Sequence, residues 1–531
     1  MALLGRAGSS PTPGANKPQH PKPKPNVTRL EKNEIRLHYS GFIIFGAQLL
    51  SITTGLIFTL LLTRNMTTPE YGIWANIFDL AGYFLLFSGL FPFWTMRFVA
   101  RRKDGAAKTG LLANLIISLA ATSIYISLTP LLTSTFNISG QYVLMYLIAA
   151  AHIINMHAVV ALESILRAKK PQAIGYGLLI EEITKVTLAY VLIVRLQQLF
   201  LGALLSLTIS ITIQVLYYLK LTSNDLKEKI QWTYAKEWLK GSTANIYNAV
   251  GSQIAASPII LLFLLGGQAA RGNYQAATTF SNMIGYALFL SYALYPKLLA
   301  DNNLKDATAS LKTVLMFAIP MTTIVLSIPQ SLLTILNIHY NEATPILLLL
   351  ALDAFILLIS QFYTSVIFGV EKLDEEAMIP MKKLAKSKIF KVFTLPYIQA
   401  AISVPATLYA LTQLAAGRPV RAAVYVTAIN LTAHTAILLI QYAMMHTAVP
   451  IRVPWKNIGK YILASAVTAA FLYILPDTTT LFLTLAIALA GAAVYLVILL
   501  AIDKEARKTI TLIWKEIKSI PKRERVTTAN T

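Results

Sequence analysis

The 531-residue sequence predicts an all-α polytopic membrane protein of fourteen transmembrane helices, arranged as two six-helix lobes plus two extra C-terminal spans. Three observations predict it. Fourteen long apolar runs fill the chain, and about 20 apolar residues suffice to cross roughly 30 Å of hydrocarbon. Positive charge sits almost wholly in every second gap between the runs. Composition agrees: the chain is 56% hydrophobic and only 13% charged, with a mean hydropathy of +0.59, outside the range of soluble domains.

Taken in order, the runs lie at 40–63, 72–95, 109–134, 141–163, 172–194, 198–219, 241–265, 274–295, 312–333, 344–368, 392–414, 422–446, 458–475 and 479–502. Of 46 Lys and Arg residues, 40 fall in the two tails and the gaps after even-numbered spans, counting Lys312 and Lys460, which sit in the first three residues of spans nine and thirteen. The gaps after odd-numbered spans hold 5, and Lys185 lies inside a span. One miscounted span would scramble this alternation. The positive-inside rule therefore places both termini in the cytoplasm of a cell-membrane protein.

Net charge is +22. In a soluble protein that would suggest nucleic acid, but here the cations spread over eight cytoplasmic segments, as orientation and anionic headgroups require. There is no cysteine, which removes disulfides, thiolate metal sites and a Cys nucleophile. The first apolar run begins too far in and is too long for a cleavable signal.

Residues 1–38, with His20-Pro21-Lys22-Pro23-Lys24-Pro25, read as a disordered basic cytoplasmic tail. Spans 1–6 form an N-terminal lobe over 39–220, followed by a cytoplasmic linker at 221–240. A C-terminal lobe occupies 241–447, spans 13 and 14 occupy 448–502, and 503–531 is a second basic tail with the pattern of an amphipathic surface helix. The longest internal loop, 369–391, reads as a surface helix joining two halves of the bundle.

The loops also exclude chemistry. Outside, the chain offers only Glu70, Glu342 and Asp477, isolated from one another. A membrane glycosyltransferase or polymerase would need an outer loop with acids to hold a metal or act as base. The outer loops hold no paired carboxylates, and a His cluster, a phosphate loop and a Ser/His/Asp arrangement are missing from the sequence. The expectation is a transporter with no catalytic centre, cofactor or ATPase of its own.

A short repeat supports the lobes. Tyr71-Gly-Ile-Trp-Ala-Asn-Ile-Phe-Asp79-Leu-Ala-Gly82-Tyr83 recurs 203 residues later as Tyr274-Gln-Ala-Ala-Thr-Thr-Phe-Ser-Asn282-Met-Ile-Gly285-Tyr286. Each copy opens the second span of a six-span block, so the repeat is parallel.

The stretch Leu60-Leu-Leu-Thr-Arg64-Asn-Met-Thr-Thr-Pro69-Glu70-Tyr71-Gly72 resembles the first hairpin of O-antigen-type polysaccharide flippases, which carry an apolar run, an Arg, then Pro-Glu-x-Tyr-Gly. Arg97-Phe-Val-Ala-Arg101-Arg102 and Arg167-Ala-Lys-Lys170-Pro171 are also similar to that family. The family belongs to the multidrug/oligosaccharidyl-lipid/polysaccharide superfamily. The motif resemblance covers about residues 40–310; the insert at 369–391 departs from it. What it implies is movement of a polyprenyl-diphosphate-linked oligosaccharide from the inner to the outer leaflet, with H⁺ or Na⁺ as coupling partner. A cation-coupled multidrug exporter is the alternative within the superfamily. Related lipid II flippases carry an arginine in the middle of span one; this chain has none there, so that phosphate site does not transfer.

Charge inside a span costs about 2.5–3.5 kcal/mol at the bilayer centre on insertion scales, so the intramembrane ionisable groups are candidates. Asp79, with its repeat mate Asn282, is expected to line a cavity. Glu181 and Lys185, one turn apart, and Glu182 form either a mutually neutralising buried cluster or an ion-coupling site. Asp353 has no partner visible in the sequence. Arg97 and Lys297 close spans two and eight on the cytoplasmic side, where a diphosphate could meet both. Arg64 and Arg271 flank the outer ends of spans one and seven and are candidate outer-gate contacts. The seven histidines read as satisfied polar contacts.

Overall fold

The computed structural model describes residues 27–291, 304–370, 387–415, 417–448 and 453–508; among them every regular element is helical. Within the described residues each of the fourteen apolar runs is mostly helical. Among the described residues eleven helices are long and apolar enough to cross a membrane. The three that fall short carry spans two, five and eight, which hold Asp79, the Glu181–Glu182–Lys185 group, and Arg271 with Asn282.

The first span is α1 (Val27–Asn65). It starts inside the stretch expected as disordered tail, because Leu30, Glu31, Lys32 and Arg36 are strong helix formers running unbroken into the apolar segment. Span two is two helices, α2 (Thr68–Phe84) and α3 (Leu90–Ala100), rather than one. Pro92 supplies no N–H and its ring clashes with the carbonyl four residues back, so the chain breaks at 85–89. Then follow α4 (Ala106–Thr135), α5 (Gly140–Lys169), α6 (Gln172–Ala189, closed by a π turn at Tyr190–Arg195) and α7 (Leu199–Thr222). The linker carries a short helix, α8 (Trp232–Gly241), whose Trp238 is buried against Phe91, Phe98 and Tyr234.

The second half is built from α9 (Thr243–Gly266), α10 (Gln268–Gly285), α11 (Leu304–Ser327), α12 (Pro329–Leu336), α13 (Thr344–Val370), α14 (Lys388–Tyr409, with a π turn to Leu414) and α15 (Pro419–Ala448). Span nine is divided at Ile328, where Pro329 starts a new helix. The last spans are α16 (Trp455–Ile474) and α17 (Leu481–Ile502). Most of the expected surface helix at 369–391 and the tail beyond 508 lie outside the described residues.

Packing divides the helices. α1 lies along α6, α4 along α5, and α5 and α6 along α7, while α3 packs on α4 and α5. In the second half α9 pairs with α14, α13 with α15 and α10 with α13; α16 docks on α11, and α17 on α16. Contact between the halves runs chiefly along α2 and α10.

The apolar cores follow the same division in an uneven way. One cluster joins both halves: Leu62, Ile73 and Ile77 pack in it with Phe263, Phe280, Leu333 and Tyr340. Its members come from the C-terminal ends of odd-numbered spans and the N-terminal ends of even-numbered ones. At the opposite ends the described residues form smaller clusters. Leu111, Leu162, Leu166 and Tyr218 belong to the first half, and the Trp94–Trp238 group joins the first half to the linker, with Ile246 of α9 packed against it. Leu311, Phe362, Tyr461 and Leu499 belong to the second half and the appended spans. The outer surface is apolar, with Phe482 85% and Leu489 70% exposed, as a hydrocarbon-facing helix requires.

Candidate functional site

The Pro-Glu-x-Tyr-Gly segment builds the start of α2. Thr67 caps the helix, and the Glu70 carboxylate accepts hydrogen bonds from the Thr67 N–H and hydroxyl in a reciprocal capping box. Pro69 sits in the first turn, where its missing N–H costs nothing. Tyr142 of α5 donates to the other Glu70 oxygen at 2.9 Å. Tyr71 packs edge-on against Tyr340.

Gly72 is where α10 crosses. A Cβ on Gly72 would lie 1.9 Å from the Gln268 carbonyl oxygen, and one on Gly272 would lie 2.0 Å from that of Thr68. The crossing thus relates positions 200 residues apart, whereas the repeat relates positions 203 apart. Two glycines let the backbones touch, as at close helix pairs in membranes.

Beside this crossing the seam carries charge, from Arg271 next to Gly272 and from Asp79 about two turns beyond Gly72. Arg271 donates from Nε to Asp79 Oδ2 at 2.7 Å and from Nη2 to Oδ1 at 3.0 Å, a two-pronged pair between the halves. Its Nη1 donates to Gln275 at 2.9 Å, and the guanidinium stands 5.6 Å from the Tyr274 ring centroid. Arg271 is 4% exposed, so the carboxylate offsets a desolvated cation. Expected in a loop before span eight, Arg271 is instead in the first turn of α10. Asn282, further along α10, is exposed.

In the first half, Lys185 Nζ lies 3.1 Å from Glu181 and 2.8 Å from Glu182. Ser51 and Thr54 of α1 donate to the two Glu182 oxygens. All three charged residues are buried. Two carboxylates and one ammonium leave a formal charge of −1 unless a proton or another cation is bound, and hydroxyl and carboxylate oxygens are the donors a proton or a hard cation takes.

In the second half Asp353 does have a partner, contrary to the sequence reading. His434 Nδ1 is 2.7 Å from Asp353 Oδ1, and its Nε2 is 2.9 Å from Gln399. These come from α15, α13 and α14, at sequence separations that an apolar pattern does not connect.

The remaining candidates go elsewhere. Arg64 donates to the Ile335 carbonyl at 3.0 Å, capping the end of α12 from the other half. Arg97 stacks on Phe93, its Cζ 4.1 Å from the ring centroid, and lies 5.7 Å from Trp94. Lys297 lies outside the described residues. Among the described residues no group of three or more His, Cys, Asp or Glu is arranged to hold a metal.

Fold and site together define a polytopic helical membrane protein: two packed halves, one shared core, and charged groups on the three least apolar spans. The same fold is present in solved structures. A lipid II flippase MurJ in an inward closed conformation superposes with a TM-score of 0.64 at 16% identity, covering 87% of this chain and 97% of that one. A multidrug resistance MATE family transporter of the MOP superfamily, inward-facing, gives 0.56 at 14% identity, covering 75% and 95%. No family model and no curated protein matches the sequence.

Proposed function

We propose that the protein carries a polyprenyl-diphosphate-linked oligosaccharide from the cytoplasmic to the outer leaflet of the cell membrane by alternating access, coupled to a cation. One observation carries this reading. Among the described residues the two halves share one large apolar core at the end that the charge alternation puts outside, and at the other end form smaller clusters that meet only where Ile246 of α9 packs against the Trp94–Trp238 group. That asymmetry is what a state sealed outward and parted inward requires, and rocking of two repeats about a central site reverses it.

The seam supplies the chemistry. A diphosphate with its glycan cannot enter hydrocarbon unpaired. The Arg271 fork that holds Asp79 matches phosphate geometry equally well. An incoming diphosphate exchanging with Asp79 at Arg271 would release the inter-half pair and loosen the outer seal, tying opening to occupancy. Arg97 lies toward the inner end of span two, on the entry side in this orientation, Lys297 belongs to the same end by sequence, and Asn282 lies about midway along span eight. The lipid tail remains in the bilayer. The Glu181–Glu182–Lys185 cluster, one cation short of neutral, is the coupling site in this scheme.

The likeness to the MATE transporter favours a second reading, a cation-coupled exporter of multiple drugs. Reconstitution decides. Purified protein in liposomes should translocate a fluorescent lipid-diphosphate sugar under a cation gradient; efflux of small cationic dyes without lipid-sugar movement would establish the exporter instead.

A further inference from the structure

We infer that His434, held between Asp353 and Gln399, is a proton-binding site in the second half of the molecule. The inference rests on the transport reading above and adds to the α6 cluster a second proton-binding site, in the opposite half, on residues not singled out by any motif.

The hydrogen bonds define what the site can hold. With Asp353 ionised its carboxylate only accepts, so the 2.7 Å contact assigns a proton to His434 Nδ1. The ring's Nε2, 2.9 Å from the Gln399 side-chain nitrogen, is then a bare acceptor filled by an amide N–H. Adding a proton at Nε2 makes it a donor, and turning the Gln399 amide over presents its oxygen instead. A glutamine satisfies both protonation states without any other movement. The site's charge goes from −1 to zero when the proton binds.

Burial makes that step consequential. The side chains of Asp353 and His434 are 7% and 13% exposed. An unneutralised carboxylate at that depth is costly, so proton gain and loss shift the stability of this arrangement. The donor set suits a proton and not a hard metal cation, which takes several oxygen ligands. Here the carboxylate already faces an imidazole.

The surroundings add few competing groups. From α13 the site is faced by Asp353, and from α14 by Gln399; α14's own cations, Lys388 and Lys391, are in its first turn. α10 brings Tyr274, which is in electrostatic reach of Asp353 and in contact with Arg271. α9 carries no acid or base except Tyr247. On α15 itself, Arg421 and His446 lie at opposite ends of the helix, and Tyr425 and Tyr442 more than two turns from His434. Because α10 packs on α13 and α15, a change of one charge here is felt beside the Arg271–Asp79 pair that joins the halves.

The test has two arms on the full chain. Histidine-selective isotope labelling, with the His434→Gln spectrum subtracted, should reveal a ring that gains one proton between pH 5 and 8. Asp353→Asn should change the pH at which that proton is gained, because the ring then faces a neutral amide instead of a carboxylate. A His434 ring that keeps one protonation state across this range, or a titration unmoved by Asp353→Asn, overturns the inference. In liposomes, an inside-acid against an inside-alkaline gradient should change the rate of fluorescent lipid-diphosphate sugar movement at least fivefold for the parent, and under twofold for His434→Gln. A response unchanged in His434→Gln overturns the inference as well. If the parent moves no lipid-sugar at all, the substrate reading fails, and the titration arm still decides the proton site.

Discussion

Gly72 and Gly272 face each other across the α2–α10 crossing: a Cβ placed on Gly72 would come within 3.0 Å of the Gly272 nitrogen as well as 1.9 Å of the Gln268 oxygen. No side-chain rotation relieves a clash with backbone. Gly72→Ala or Gly272→Ala should therefore push the two helices apart by about 1 Å or more, the scale on which packed interiors resist overfilling. The chain has no cysteine, so a Thr68→Cys/Gln268→Cys pair gives a clean cross-linking readout. We expect the cross-link yield to fall severalfold when either glycine is replaced. An unchanged yield would mean the seam is not set by these glycines.

How much of this was legible in sequence varies with the interaction. The fourteen runs were visible because bilayer thickness demands long apolar stretches whatever their rotation. The breaks before Pro92 and Pro329 were not, since both prolines sit inside runs that stay apolar throughout. Arg271 was assigned to a loop because the first turns of α10, Gln268–Ser281, are polar on one face. Glu181 and Lys185 could be paired from their spacing within one helix. Asp79 and Arg271, 192 residues apart, and Asp353 and His434, 81 apart, could not. Membrane helices are apolar on most faces, so the sequence does not say which way a lone charge points.

The Asp79–Arg271 pair makes single and double substitutions behave differently. Asp79→Ala strands a buried guanidinium, which should cost about 3–5 kcal/mol and reduce the yield of folded protein. Asp79→Asn/Arg271→Gln removes both charges and should recover a monodisperse, folded species on size-exclusion chromatography. That species should flip no lipid-diphosphate sugar if Arg271 is the phosphate contact. Full transport by the double variant would remove Arg271 from the mechanism.

The acidic cluster of α6 gives an opposite pair of effects. Glu181→Gln leaves Lys185 with Glu182 alone, a neutral pair, and should raise the thermal unfolding midpoint. Lys185→Met leaves two carboxylates in one buried site and should destabilise by about 3–5 kcal/mol. Thermal unfolding in detergent at neutral pH measures both. If Glu181→Gln also abolishes the dependence of transport on a cation gradient, the cluster is the coupling site; if the dependence survives, its role is confined to packing α6 against α1.

Asp503 closes the final span, and its chemistry predicts a pH dependence. The carboxylate accepts from Lys460 Nζ and the Glu505 N–H, both at 3.1 Å, and from Asn457 at 3.2 Å. Burial pushes its carboxyl upward, but these bonds outweigh burial and hold it below the ordinary carboxylate range. Glu505 is likewise held low, chiefly by its hydrogen bond with Lys312 of α11, at 2.8 Å. A group whose pKa is depressed by folding stabilises the fold above its unfolded value, near 3.9, and loses that contribution as pH falls through the folded one. Asp503→Asn should therefore lower stability at pH 7 by about 2 kcal/mol, the scale of hydrogen bonds to a charged group. The gap from the parent should narrow steadily as pH drops below 4, where the parent carboxyl also takes up its proton. Unfolding midpoints that differ equally at pH 7 and pH 3 would show that Asp503 acts through shape and not through charge.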